Sequence, residues 1–132
     1  MKLSTVFTLG LAALPELASA SFAQTCKDWY IEGTTFRPLL VATCSKSDGH
    51  SPRRTRHDLN LCMGLSYGDL VSRKDGNAFT AGACINIGWS GTQMSAQCLG
   101  LYGYKNTAID LNSFIHNSNG FLTCHGYLGA PY

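Results

Sequence analysis

Residues 58–70 and 110–122 align without a gap. Both read Asp-Leu-Asn, then Gly eight residues after the Asn, then Leu two residues later: Asp58-Leu59-Asn60, Gly68 and Leu70 in one, Asp110-Leu111-Asn112, Gly120 and Leu122 in the other. Upstream, Cys26 and Gly33 are spaced as Cys84 and Gly91 are, and Leu40-Val41-Ala42-Thr43-Cys44 lies on Met94-Ser95-Ala96-Gln97-Cys98. Self-similarity of this kind marks two tandem structural units, about 21–75 and about 76–128, neither expected to bury its apolar face alone. The first unit holds four more residues between Gly33 and Cys44, including Pro38, and two more between Cys44 and Asp58, including Gly49 and Pro52. Such insertions are expected in loops, where closure entropy grows slowly with length.

The first 20 residues carry Lys2, an apolar run over 6–14 and then Ala18-Ser19-Ala20. That order of charge, apolar run and small residues is that of a signal peptide, so the mature chain is expected to begin at Ser21 and to be exported. The run is too short to cross a hydrocarbon layer of ~30 Å as a helix. All six cysteines, Cys26, Cys44, Cys62, Cys84, Cys98 and Cys124, fall in the remaining 112 residues. An even count in a short exported chain implies a disulfide framework, but six cysteines allow fifteen pairings and spacing does not choose among them. Loss of Lys2 and Glu16 leaves nine basic and seven acidic residues, so the net charge stays at +2. This balance is far from the dense basic footprint of a nucleic-acid binder.

Short runs such as Trp29-Tyr30-Ile31, Leu39-Leu40-Val41, Ile85-Asn86-Ile87 and Phe121-Leu122-Thr123 are bounded by Gly, Asn, Asp or Pro and read as strands. Residues 59–65 and 111–115 can each form one helical turn, capped by Asp58 and Asp110. The expected fold class is all-β with brief helical turns.

The ordered set Ser21-Phe22-Ala23-Gln24-Thr25-Cys26, the Leu-x-Ala-x-Cys ending in Cys44, Asp58-Leu59-Asn60, their counterparts in the second unit and Asn117-Ser118-Asn119-Gly120-Phe121-Leu122 spans almost the whole mature chain. In this set the chain resembles the cyanovirin-N homology (CVNH) family, in particular its secreted fungal lectins. The resemblance implies a single domain over 21–132 with pseudo-two-fold symmetry, short three-stranded sheets, hairpins and disulfide staples. Each half would combine segments of both repeats, residues 21 to about 62 joining 116–128. The pairings it implies are Cys26–Cys44 and Cys84–Cys98, with Cys62–Cys124 following because the last strand returns onto the half that holds the end of the first Asp-Leu-Asn segment. The competing reading leaves Cys62 and Cys124 as buried free thiols.

The resemblance also implies a shallow pocket for α-linked mannosides. Carried over residue by residue, it consists of Gln24, Thr25, Ser45, Ser47, Asn117, Ser118 and Asn119. Amides and hydroxyls on rigid turns suit a polyol, whose adjacent hydroxyls both donate and accept. Ser45 stands where many relatives carry an acid. The second pocket would be built from Leu65-Ser66-Tyr67-Gly68, Gly82-Ala83 and Leu99-Gly100-Leu101, with an extra residue between Phe79 and Cys84, and is expected to be degenerate for sugar. The partners so implied are mannose-containing oligosaccharides or glycoproteins, with neither nucleic acid nor membrane, and a monomer with a domain-swapped dimer as the alternative. A sugar-blind interaction protein and a small secreted hydrolase are the rival functions.

Other features have plainer readings. Asp58-Leu59-Asn60 and Asp110-Leu111-Asn112 are expected to cap and fix turns. Pro52-Arg53-Arg54-Thr55-Arg56-His57 reads as a solvated loop entering a strand, with His57 half-buried opposite Ile109. Trp29 and Trp89 read as core or edge packing. His50, His57, His116 and His125 show neither paired metal-ligand spacing nor a catalytic motif, so no metal, cofactor or catalytic residue is expected.

Overall fold

A computed structural model describes residues 21–132. The expected signal peptide lies outside the described residues. Each repeat runs through the same succession. The first has β1 (Cys26–Thr34), β2 (Arg37–Cys44) and β3 (Arg53–Asp58), a single 3-10 turn, then the hairpin β4 (Met63–Ser66) and β5 (Asp69–Ser72). The second has β6 (Cys84–Ser90), β7 (Gln93–Gly100) and β8 (Gly103–Asp110), a 3-10 turn, then β9 (His116–Ser118) and β10 (Phe121–Cys124). Two further short strands follow, β11 (Tyr127–Leu128) and β12 (Ala130–Pro131).

The strands form four antiparallel sheets, ordered β1-β2-β3-β12, β6-β7-β8, β9-β10-β11 and β4-β5. The hairpins are exchanged between repeats: β10 packs on β3 and β2, while β5 packs on β8 and β7. A threonine holds each exchange in place, Thr55 buried and Thr107 partly buried. Thr55 Oγ1 on β3 accepts from the Leu122 N–H at 3.4 Å, and Thr107 Oγ1 on β8 accepts from the Leu70 N–H at 3.0 Å. The core repeats the symmetry. Phe22 and Phe79, Leu40 and Met94, Leu59 and Leu111, and Met63 and Ile115 occupy equivalent places and are all essentially buried. The disulfides are Cys26–Cys44, Cys84–Cys98 and Cys62–Cys124, the last with Cα atoms 5.7 Å apart.

The Asp-Leu-Asn motifs act as clasps between the repeats. Each Asp accepts from the backbone N–H of its Asn at 2.9 Å, which caps the turn and aims the amide across the molecule. Asn60 Oδ1 then accepts from the Phe79 N–H and Asn112 Oδ1 from the Ala23 N–H, both at 2.9 Å. The Leu between them is buried. Asn112 thereby fixes the segment leading into Gln24 and Thr25.

Three expectations need correction. The four extra residues of the first repeat make no loop; they lengthen the β1-β2 hairpin, which pairs down to Thr34–Arg37, two residue pairs farther than the β6-β7 hairpin. Pro38 is accommodated because the β2-β3 ladder ends at Leu39–Asp58, so no ladder bond is lost to the missing N–H. Residues 53–58 form an inner strand of a four-stranded sheet, because β12 pairs with β3 beyond the point where the repeat pattern stops. Their arginines rest on aromatic rings: Arg53 lies 4.0 Å over Phe121, and Arg54 and Arg56 lie over Tyr132. His57 is 2% exposed, not half-buried, with Nε2 3.0 Å from the Tyr127 carbonyl.

Candidate functional site

The hairpin β9-β10 turns through Asn119 and Gly120 with φ of 50° and 89°. Two successive positive φ values match the right-handed twist of a hairpin and explain Asn-Gly at the turn. Gly120 is required for a second reason, since a Cβ there would lie 2.9 Å from Lys46 Cγ and 3.0 Å from Arg53 Nε.

Around this turn the chain gathers three distant segments. Asn117 Nδ2 donates to Thr25 Oγ1 and to the Ser45 carbonyl, both at 2.9 Å, while its Oδ1 accepts from the Gly120 N–H at 2.8 Å. Asn119 Oδ1 accepts from the Ser47 N–H at 2.9 Å. The Ser45 N–H closes the set by donating to the Thr25 carbonyl at 2.9 Å. Both amide hydrogens of Asn117 and one of the two acceptor positions on its Oδ1 are thus spent on positioning. Groups that remain turned to solvent are the hydroxyls of Thr25, Ser45, Ser47 and Ser118 and the Asn119 amide nitrogen, on exposed residues.

These groups border an open depression of about 770 Å³, lined by Thr25, Ser45, Ser47, Asn117, Ser118 and Asn119 together with Lys46, His116 and His125. Gln24 does not face it. It lies in an adjoining depression of about 420 Å³ beyond a ridge made by Thr25 and Ser45, with Lys27 and His50. Six of the seven expected residues thus share one surface, and the seventh sits across the ridge. Lys46, His116 and His125 are lining residues that sequence reading passed over. Two of them adjoin expected site residues in sequence, but strand direction decides whether a neighbour faces the same side. Elsewhere, His57, Cys62 and Cys124 bring ligand atoms within 4.8 Å of one another, yet the sulfurs are joined as a disulfide and offer no thiolate.

The CVNH domain model matches residues 22–123, most of the chain. The chain belongs to the CVNH family. Solved structures of similar fold include a Magnaporthe MoCVNH3 variant (Mo0v) in complex with (N-GlcNAc)4, 15% identical, covering 80% of this chain and 97% of that one at a TM-score of 0.66. The CVNH protein of Gibberella zeae is 21% identical over 78% of this chain and 95% of its own, with a TM-score of 0.62. That of Neurospora crassa is 20% identical over 79% and 97%, with a TM-score of 0.62. No curated protein matches the sequence significantly.

The pseudo-symmetric counterpart of the site in this CVNH chain is apolar. Leu65 and Leu99 replace Asn117 and Ser45, so the amide clasp is absent. A groove of about 320 Å³ is lined by Tyr67, Leu101, Tyr102, Tyr104 and Lys105, and Tyr102 is fully exposed. The extra residue before Cys84 is taken up by a turn in which Ala81 and Gly82 both have positive φ.

Proposed function

We propose that this CVNH chain is an exported carbohydrate-binding protein that holds one or two rings of an α-linked mannoside in the depression beside Asn119. The observation that carries the reading is the Asn117 clasp, which fixes segments 24–25, 45–47 and 117–119 so that their free hydroxyls and one amide nitrogen line a single open hollow. Family membership and a similar fold solved with a saccharide, (N-GlcNAc)4, support it. Binding rather than catalysis is the reading, with one site per chain, because the second pocket lacks the hydrogen-bonding set. Each net bond contributes about 0.5–1.5 kcal/mol and must offset the lost freedom of the ligand, so dissociation constants of roughly micromolar to millimolar are expected.

A glycan array, followed by calorimetry with a dimannoside, tests the proposal. A stoichiometry near one, with binding lost on joint substitution Thr25→Ala and Asn119→Ala, is expected. Silence across all glycans on the array would overturn it in favour of a sugar-blind interaction protein.

A further inference from the structure

We propose that β8 is a docking edge for a second copy of this chain, the two strands pairing antiparallel about a two-fold axis at Asn106.

β8 is the outer strand of the sheet β6-β7-β8, and it pairs with β7 from Gly100–Gly103 to Gln93–Asp110 without a register shift. The other edges among the described residues are blunted. Bulges break β1 between Lys27 and Tyr30 and β6 between Ile85 and Gly88, while β4, β5, β9, β11 and β12 have four residues or fewer. A long, regular edge without proline or bulge is a template for another strand.

The backbone groups on this edge follow from the ladder. Leu99 on β7 donates its N–H to the Ala83 carbonyl at 2.8 Å, away from β8, and Leu99 stands opposite Tyr104. The N–H and C=O of Tyr104 therefore turn away from β7, and by antiparallel alternation so do those of Asn106 and Ala108. All three residues are exposed. In the first repeat the corresponding edge, that of β3, is already covered. There β12 pairs with it, and the Tyr132 N–H donates to the carbonyl of Arg54, the counterpart of Asn106. No such strand covers β8 among the described residues.

A second copy fits because the edge is complementary to itself. With Asn106 opposite Asn106, Tyr104 of one copy stands opposite Ala108 of the other and Ile109 opposite Gly103, large against small, and about six backbone hydrogen bonds close. The charges on the strand are already engaged: Lys105 pairs with Asp69 at 3.1 Å, and Asp110 accepts from the Asn112 N–H at 2.9 Å. At the β7-β8 turn, Leu101 and Tyr102 are 72% and 100% exposed, which puts apolar surface at the margin of the same contact. The saccharide depression lies in the other half, so the dimer would present two of them. That consequence rests on the carbohydrate reading, whereas the pairing does not.

Sedimentation velocity over a concentration series tests the pairing without any sugar. A monomer–dimer equilibrium with a dissociation constant of about 100 μM or below is expected. Ala108→Pro removes an outward N–H that β7 does not use, and should raise that constant about tenfold or more with the melting temperature held. Asn106→Lys and Asn106→Glu, on an exposed side chain, should each do the same by setting like charges at the axis, and mixing the two variants should restore the dimer. A monomer at every concentration up to ~1 mM overturns the inference. So does a dimer that none of the substitutions weakens, since it is joined elsewhere or by exchanged hairpins. The carbohydrate reading stands in either case, because the glycan array alone decides it.

Discussion

At the scale of single residues, Asn117 both lines the depression and holds its walls together. Its amide joins two strands and a turn, so Asn117→Ala should lower stability by about 1–3 kcal/mol through unmade bonds to the Ser45 carbonyl and the Gly120 N–H. Thr25→Ala, by contrast, should weaken sugar binding with little change in the melting temperature. Comparing thermal unfolding and binding for the two variants checks this, and equal effects on stability would contradict it. Tyr132 gives a pH test. The Tyr30 hydroxyl first and the Glu32 carboxylate second hold its proton, with the phenol donating to Glu32 Oε1 at 2.9 Å, and push its pKa up from 10.0 to about 12. A raised phenol pKa favours folding fully below pH 10, and that contribution is lost as pH rises from about 10 to about 12. Ultraviolet titration should show a late-ionising tyrosine that Tyr132→Phe removes. The polar type of the site residues was readable from the sequence. The division of labour, Asn117 bonding to three segments while Ser45, Ser47 and Ser118 keep exposed side chains, was not, because it depends on which atoms of distant segments face one another.

At the scale of elements, the reach of a strand was the hardest feature to read. Four extra residues with a proline look like a loop, but they can extend both arms of a hairpin equally, and only the absence of a neighbouring strand beyond Leu39 makes Pro38 harmless there. The last strand escaped notice for a related reason. Ala130–Pro131 has no strand pattern of its own and is ordered by β3, the Tyr132 N–H donating to the Arg54 carbonyl at 3.0 Å and Thr55 Oγ1 donating to the Ala130 carbonyl. Deleting residues 130–132 should therefore cost about 1–3 kcal/mol, from a few net bonds of about 0.5–1.5 kcal/mol each, measurable by urea denaturation. An unchanged midpoint would show the strand to be ornamental. The link between the repeats is tighter than its glycine suggests. A Cβ on Gly76 would stand 2.3 Å from the Met63 carbonyl oxygen and 2.5 Å from Gly64 Cα, backbone atoms with no room to move. Gly76→Ala should destabilise by about 1–3 kcal/mol or more, as overpacking does, whereas Gly49→Ala, with nothing within 4 Å of its Cβ, should lose far less despite its positive φ.

At the scale of the whole molecule, stability and site share one device, the exchange of hairpins between repeats. Cys62–Cys124 pins the second repeat's hairpin to the first repeat's turn across 62 residues of sequence. Replacing both cysteines with alanine should cost up to about 4 kcal/mol by the chain-entropy estimate, and should weaken sugar binding because the Asn117 turn rides on that hairpin. Non-reducing denaturation with parallel calorimetry checks both. Loss of stability with unchanged affinity would show that the Asn117 clasp holds the turn unaided. The sequence by itself determined the repeat, the all-β class and several of the short strand-forming runs, because those follow from local pattern and from a duplication visible letter by letter. It also carried the asymmetry between a polar turn at 117–119 and an apolar one at 65–67. Tertiary structure alone decided that Gln24 lies across a ridge from its expected companions and that Lys46 and Arg53 converge on Gly120. It decided as well that the arginines of β3 lie on aromatic rings. Those outcomes depend on distances between segments far apart in the chain, which are set by how two sheets and an exchanged hairpin pack, and packing is a property of the assembled core rather than of any stretch within it.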